Sequence, residues 1–115
     1  MATLQKLTQQ VLRFRDERDW AQFHNPKDIA VSLTLEAAEL LELTQWRSGP
    51  ELVKHLKKHR EDLADELADI LGWVLVMAHD QKIDLANAMT KKLQKNALKY
   101  PIEKARGVAK KYTEL

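Results

Sequence analysis

The chain has 115 residues, no cysteine, a formal net charge of +2, and 44% hydrophobic against 31% charged residues. That composition fits one soluble domain large enough for a core, and it excludes disulfides and thiolate metal sites. The small charge gives no reason to expect stable nucleic-acid binding. The longest apolar stretch, residues 70–78, is far too short to cross a membrane as a helix.

The expected first helix covers residues 3–19, where Leu4, Leu7, Val11, Leu12 and Phe14 follow a mostly helical period. The segment MATLQKLTQQVLRFRDERDW has no continuous apolar run of the signal-peptide kind, which makes a cytoplasmic protein the expectation. A loop over 19–26 carries Trp20, Phe23 and His24. Asn25-Pro26-Lys27-Asp28 then opens a second helix, expected to reach Trp46, with Asn as cap, Pro in the first turn and Asp at the positive end of the dipole.

Ser48-Gly49-Pro50-Glu51 reads as a stop followed by a Ser-x-x-Glu capping box. The third helix is expected over 50–79, with a basic, solvated segment at 54–60 where a break would fall. Asp84 caps a fourth helix that ends at Tyr100-Pro101. The basic tail, 102–115, is expected to take order from a ligand or a neighbouring subunit. No strand pattern is present. The reading is all-α, four-helix-bundle-like, in a single domain over 1–115.

Two acidic pairs, Glu36-Ala37-Ala38-Glu39 and Glu66-Leu67-Ala68-Asp69, stand inside apolar helical runs. An i, i+3 spacing puts both members on one helix face, about 60° apart. Packing the two helices together makes a cluster of four carboxylates, tolerable only with a cation or partial protonation. Oxygen-only ligands suit Mg²⁺ or Mn²⁺, ions that commonly work with phosphates. The first pair continues towards Trp46 and the second towards Trp73. Lys92, Asn96 and Tyr100 share a face of the fourth helix. Carboxylates, aromatic rings, an ammonium and an amide are the parts of a nucleotide site.

Each part has an ordinary reading. A lone Glu-x-x-Glu is usually a solvated face, Trp46 and Trp73 are more often core or interface, and Lys92 alone is an exposed lysine. Asn96 is less ordinary, because Asn is a poor helix former. Ferritin-like di-iron chemistry is excluded, since no acidic residue has a His three positions later. No nucleophile elbow, Walker loop, dinucleotide fingerprint or His-Glu-x-x-His occurs. The competing class is a non-catalytic helical module that binds a partner.

The spacing from Glu36-x-x-Glu39 to Glu66-x-x-Asp69 resembles the signature of the all-α, MazG-like nucleoside triphosphate pyrophosphohydrolases. The loop Arg18-Asp19-Trp20-Ala21-Gln22-Phe23-His24-Asn25-Pro26, Gln45-Trp46-Arg47, Lys92 with Asn96, Tyr100-Pro101 and the tail Lys111-Tyr112-Thr113-Glu114-Leu115 resemble the dCTP pyrophosphatase branch. The resemblance implies a MazG-type helical fold assembled as a homodimer or a tetramer. It implies Mg²⁺-dependent hydrolysis of a dNTP, best a cytosine or modified-cytosine one, to dNMP and pyrophosphate, in sanitation of the nucleotide pool.

By the same resemblance Glu36, Glu39, Glu66 and Asp69 are metal ligands; separately, one of the glutamates is expected to deprotonate the attacking water, with Glu39 and Glu36 as the catalytic candidates and Glu39 as the base. His24, Trp20 and Trp46 help form the base pocket, and the helix stripe adds Trp73 as a further substrate contact. Lys92, Asn96 and Tyr100 contact phosphates and sugar, and Lys111 and Tyr112 close the site. The chain departs from the usual pattern with Ala37 and Ala38 where Gly is common, and with Trp73 where Tyr is common. These changes bear on base preference, and leave another (d)NTP as the alternative substrate.

Overall fold

The computed structural model describes residues 2–115. Among them every regular element is helical: α1 (Leu4–Glu17), α2 (Pro26–Glu42), α3 (Gly49–Lys58), α4 (Arg60–Asp80), α5 (Leu85–Lys99) and α6 (Ile102–Ala105), with 3₁₀ turns at Ala21–Phe23 and Tyr112–Glu114. The all-α expectation holds. The chain divides into two packing units, Met1–Lys82 and Ile83–Leu115.

In the first unit α4 is the central element, with α2 and α1 laid against it and α3 touching it more lightly. Ile29 of α2 and Leu75, Val76 and Ala78 of α4 form its buried apolar core. Burying a side chain the size of Ile29 contributes roughly 1.5–3 kcal/mol. Two caps, at Asn25 and Asp84, work as the sequence suggests, and a third forms at Thr3. Thr3 Oγ1 accepts from Lys6 N at 3.1 Å, Asn25 Oδ1 from Asp28 N at 2.9 Å, and Asp84 Oδ1 from Asn87 N at 3.0 Å. Each satisfies one amide that the first turn leaves without an intrahelical partner.

Three local expectations need correction. α2 ends at Glu42, not at Trp46. Its hydrogen bonding shortens to i−3 at Leu43 and Thr44, and Leu41 O accepts from the Thr44 amide at 2.9 Å, the Thr44 hydroxyl at 3.1 Å and the Gln45 amide at 2.7 Å as the helix tightens into a turn. The expected 50–79 helix is two helices, broken inside the basic segment. His59, at φ −108° and ψ 36°, is the joint, and its Nδ1 lies 3.1 Å from Asp62 Oδ2. The capping box does not form. Gly49 follows Ser48 at φ +56°, a left-handed conformation suited to glycine; Ser48 O still accepts from Leu52 N at 3.3 Å, but the Ser48 side chain caps nothing.

In the second unit α5 runs from Leu85 to Lys99 and ends before Pro101, as the imide predicts. The tail makes local contacts within this unit. Tyr112 meets Tyr100 edge-to-face at 6.0 Å, and Lys99 Nζ sits 4.9 Å from the Tyr112 ring centroid. Aromatic and cation–π contacts of this kind are worth about 0.5–1.5 kcal/mol each.

Candidate functional site

α2 and α4 bring the two acidic pairs together. One carboxylate oxygen from each of Glu36, Glu39 and Glu66 lies within 4.8 Å of the other two. Glu36 and Glu66 are half-buried and Glu39 is exposed. Oε2 of Glu36 and Oε2 of Glu66 are buried with no hydrogen-bond partner. Buried acceptors without donors are costly and rare in folded proteins. Burial, and then the carboxylates of Glu39 and Glu36, push Glu66 from an ordinary 4.5 up to about 7. Glu36 is raised by burial first, then by Glu39 and Asp69. Three convergent carboxylates, two of them with a buried oxygen that has no partner among the described residues, fit a small hard divalent cation.

Beside the cluster lies a cavity of about 460 Å³, within the range of small-molecule sites. Glu36 and Asp69 supply carboxylates to its lining, and Trp20, Trp73, Phe14 and Val11 supply apolar walls. The cavity owes its shape to the loop after α1. Asp19 takes a left-handed φ of 52°, and Trp20 N donates to Arg15 O at 3.1 Å, turning the chain back on the helix end. The Trp20 ring meets Phe14 edge-to-face at 5.8 Å, and the Arg18 guanidinium covers the Phe14 ring at 3.6 Å. His24 meets Trp73 edge-to-face at 5.2 Å.

Comparison with known proteins agrees with this architecture. A family model described as MazG-like matches residues 31–115. The chain belongs to the MazG-like family. Over 98% of its length it is 38% identical to a rat protein named dCTP pyrophosphatase 1, covering 68% of that relative, and 36% identical to the human protein of the same name over the same shares. A crystal structure of a pyrophosphatase from Archaeoglobus fulgidus superposes with a TM-score of 0.82 at 36% identity, covering 88% of this chain and 94% of that one.

Within this MazG-like chain the site residues expected from sequence fall into three groups. Glu36, Glu39 and Glu66 converge, while Asp69 lines the cavity next to them rather than joining the tight triplet. Trp20, His24 and Trp73 line the same cavity. Trp46 does not line it; it lies past the end of α2, 82% exposed. Lys92 and Asn96 lie on α5, Tyr100 at its C-cap, and Lys111 and Tyr112 in the tail, all within the second unit.

Sequence reasoning missed Arg15. It lines the cavity, yet only 9% of its surface is exposed. The signal was present, because Arg15 stands four residues after Val11 on the apolar stripe of α1, where a cation has no ordinary reason to be.

Proposed function

We propose that the chain is a divalent-cation-dependent nucleoside triphosphate pyrophosphohydrolase that cleaves a cytosine deoxynucleoside triphosphate, or a modified one, into dNMP and pyrophosphate. The observation that carries the reading is the convergence of Glu36, Glu39 and Glu66, two with orphaned buried oxygens, beside an aromatic cavity. Membership of the MazG-like family and likeness to proteins named dCTP pyrophosphatase support it. The chain is a hydrolase of phosphoric anhydride bonds.

Mg²⁺ is the cation best matched to an all-oxygen donor set working on phosphates, with Glu36, Glu39, Glu66 and Asp69 as its holders. When bound, such an ion neutralises charge on the triphosphate and acidifies water. Glu39 accepts the proton of the attacking water. The water oxygen bonds to the α-phosphorus, the bond from that phosphorus to the bridging oxygen breaks, and pyrophosphate leaves with the electron pair. Trp20 and Trp73 stack on the base and exclude water, with His24 held against Trp73. The family resemblance assigns Lys92, Asn96 and Tyr100 to phosphates and sugar, Lys111 and Tyr112 to closure, and Trp46 to the base.

Homo-oligomerisation as a dimer or tetramer belongs to the same reading. Val31 and Leu35 of α2, Leu67 and Leu71 of α4, and Met89 and Leu93 of α5 form exposed apolar i, i+4 pairs. Such pairs are the kind of surface a second copy covers. No helix among the described residues is long and apolar enough to cross a membrane, in keeping with a cytoplasmic pool-sanitising role. Light scattering gives the number of chains.

Pyrophosphate release from the canonical and modified dNTPs, with and without Mg²⁺, tests the reaction. The expected result is Mg²⁺-dependent release that is fastest with the cytosine substrates. Equal turnover across all bases removes the cytosine assignment, and no release from any of them removes the hydrolase reading.

A further inference from the structure

Arg15 is the most deeply buried charged side chain among the described residues, and its charge cannot be shed by losing a proton. Asp80, at the end of α4, satisfies it only in part. Both Asp80 oxygens accept from the same nitrogen, Nη1, at 3.2 and 2.9 Å. Nε is buried with no hydrogen-bond partner. The nearest carboxylate on that side, Asp16 Oδ1, is 3.9 Å away, beyond hydrogen-bonding distance. A guanidinium held this way is fixed in orientation and still short of acceptors.

Arg15 also stands on the wall of the aromatic cavity, with Trp20, Trp73 and His24. His24, on the same wall, likewise has a buried ring nitrogen, Nδ1, without a partner. Stacking on tryptophan tolerates every base, because every base has a π-face. Selectivity has to come from polar atoms that an incorrect base edge leaves unpaired. Arginine offers donors only, in a planar fork.

We propose that Arg15 is the specificity-determining residue of this cavity, donating to a nucleobase edge with two adjacent acceptors, and that Asp80 is its positioning residue. This rests on the reading of the cavity as a nucleobase site. Cytosine has such an edge in O2 and N3, and guanine has one in O6 and N7. Thymine places an N–H between its carbonyls. Adenine sets an amino group beside each of N1 and N7. The two accepted edges share one chemistry, and the experiment separates them.

Removing Arg15 alone would strand Asp80, so the test uses Arg15→Met with Asp80→Leu, which deletes both charges and keeps apolar bulk. Thermal stabilisation by dCMP, dGMP, dTMP and dAMP is measured on the full chain, and the apparent affinities are compared. The wild-type protein is expected to favour dCMP or dGMP over dTMP and dAMP, and the double variant to lose at least about tenfold of that preference. Which of dCMP and dGMP is favoured names the edge that is read.

A wild-type protein without the preference, or a folded double variant that keeps it, overturns the proposal. If the double variant does not fold, Arg15→Lys decides, since it keeps the ion pair and loses the fork. Loss of preference in that variant supports the proposal and retention overturns it. The hydrolase reading fails separately. Selective dNMP binding without pyrophosphate release from any dNTP keeps Arg15's role and removes the reaction, and release with unselective binding does the reverse.

Discussion

Asp80 and Glu66 both lie on α4, and both meet charged side chains from other helices, but with opposite signs of encounter. Asp80 meets the guanidinium of Arg15 at 2.9 Å and forms a pair that ties α1 to α4. Glu66 meets Glu36 and Glu39, and its carboxyl is driven up to about 7. The first grouping is attractive and serves the fold of the bare chain even though Arg15 Nε is left without a partner. The second stands against the stability of the bare chain and becomes favourable only with protons or a cation. Folds keep such unfavourable clusters where function uses them.

The contrast can be broken most directly at the carboxylates. Glu39→Gln keeps shape and removes charge, and turnover is expected to fall on the order of 10²–10⁴-fold. Near wild-type turnover at saturating Mg²⁺ would take Glu39 out of the base role.

The next effect is on stability. Arg15→Ala leaves Asp80 without its cation and is expected to cost about 3 kcal/mol, read as a lower urea midpoint. Glu66→Gln should do the reverse in metal-free protein and raise Tm, because it relieves a like-charge contact. If both substitutions moved Tm in the same direction, the two groupings would not differ as described.

The pH dependence sharpens the same point. Glu66 has a folded value near 7 against an ordinary 4.5. The folded state therefore holds its proton more tightly than the unfolded chain does, and that stabilisation is fully present below about 4.5. It is lost as pH rises through 7. Metal-free Tm is expected to fall across this window, and Mg²⁺ to flatten the fall by binding the ionised cluster. A flat metal-free profile would count against the crowding of these carboxylates.

The smallest effect is at Gly72, mid-helix in α4 on the cavity wall, where an added Cβ meets nothing within 4 Å. Gly72→Ala should stabilise by about 0.5–1 kcal/mol.

Much of the architecture was legible locally. The caps at Asn25 and Asp84, the stop at Pro101 and the i, i+3 acidic pairs are short-range features, and a few neighbouring residues suffice to specify them. The breaks at Leu43 and His59 were harder to place. They turn on local hydrogen bonding, a tightening to i−3 bonds at Leu43 and Thr44 in one case and His59 with Asp62 in the other. The failed capping box at Ser48 shows the same limit, because the left-handed φ of Gly49 overrides a correct spacing.

The sequence by itself determined that the protein is helical, that two acidic pairs each occupy one helix face, and that their spacing belongs with the MazG-like family. Those properties follow from helical period and side-chain chemistry along one stretch of chain. Only the tertiary structure decided that Glu36, Glu39 and Glu66 converge while Asp69 stands aside on the cavity wall. It also left Trp46 exposed and put Arg15 beside Trp20 and Trp73. The reason is that rotation of one helix against another, and the path of the 19–25 loop, are set by packing between residues far apart in sequence. Periodicity fixes which face a residue occupies and does not fix what that face meets.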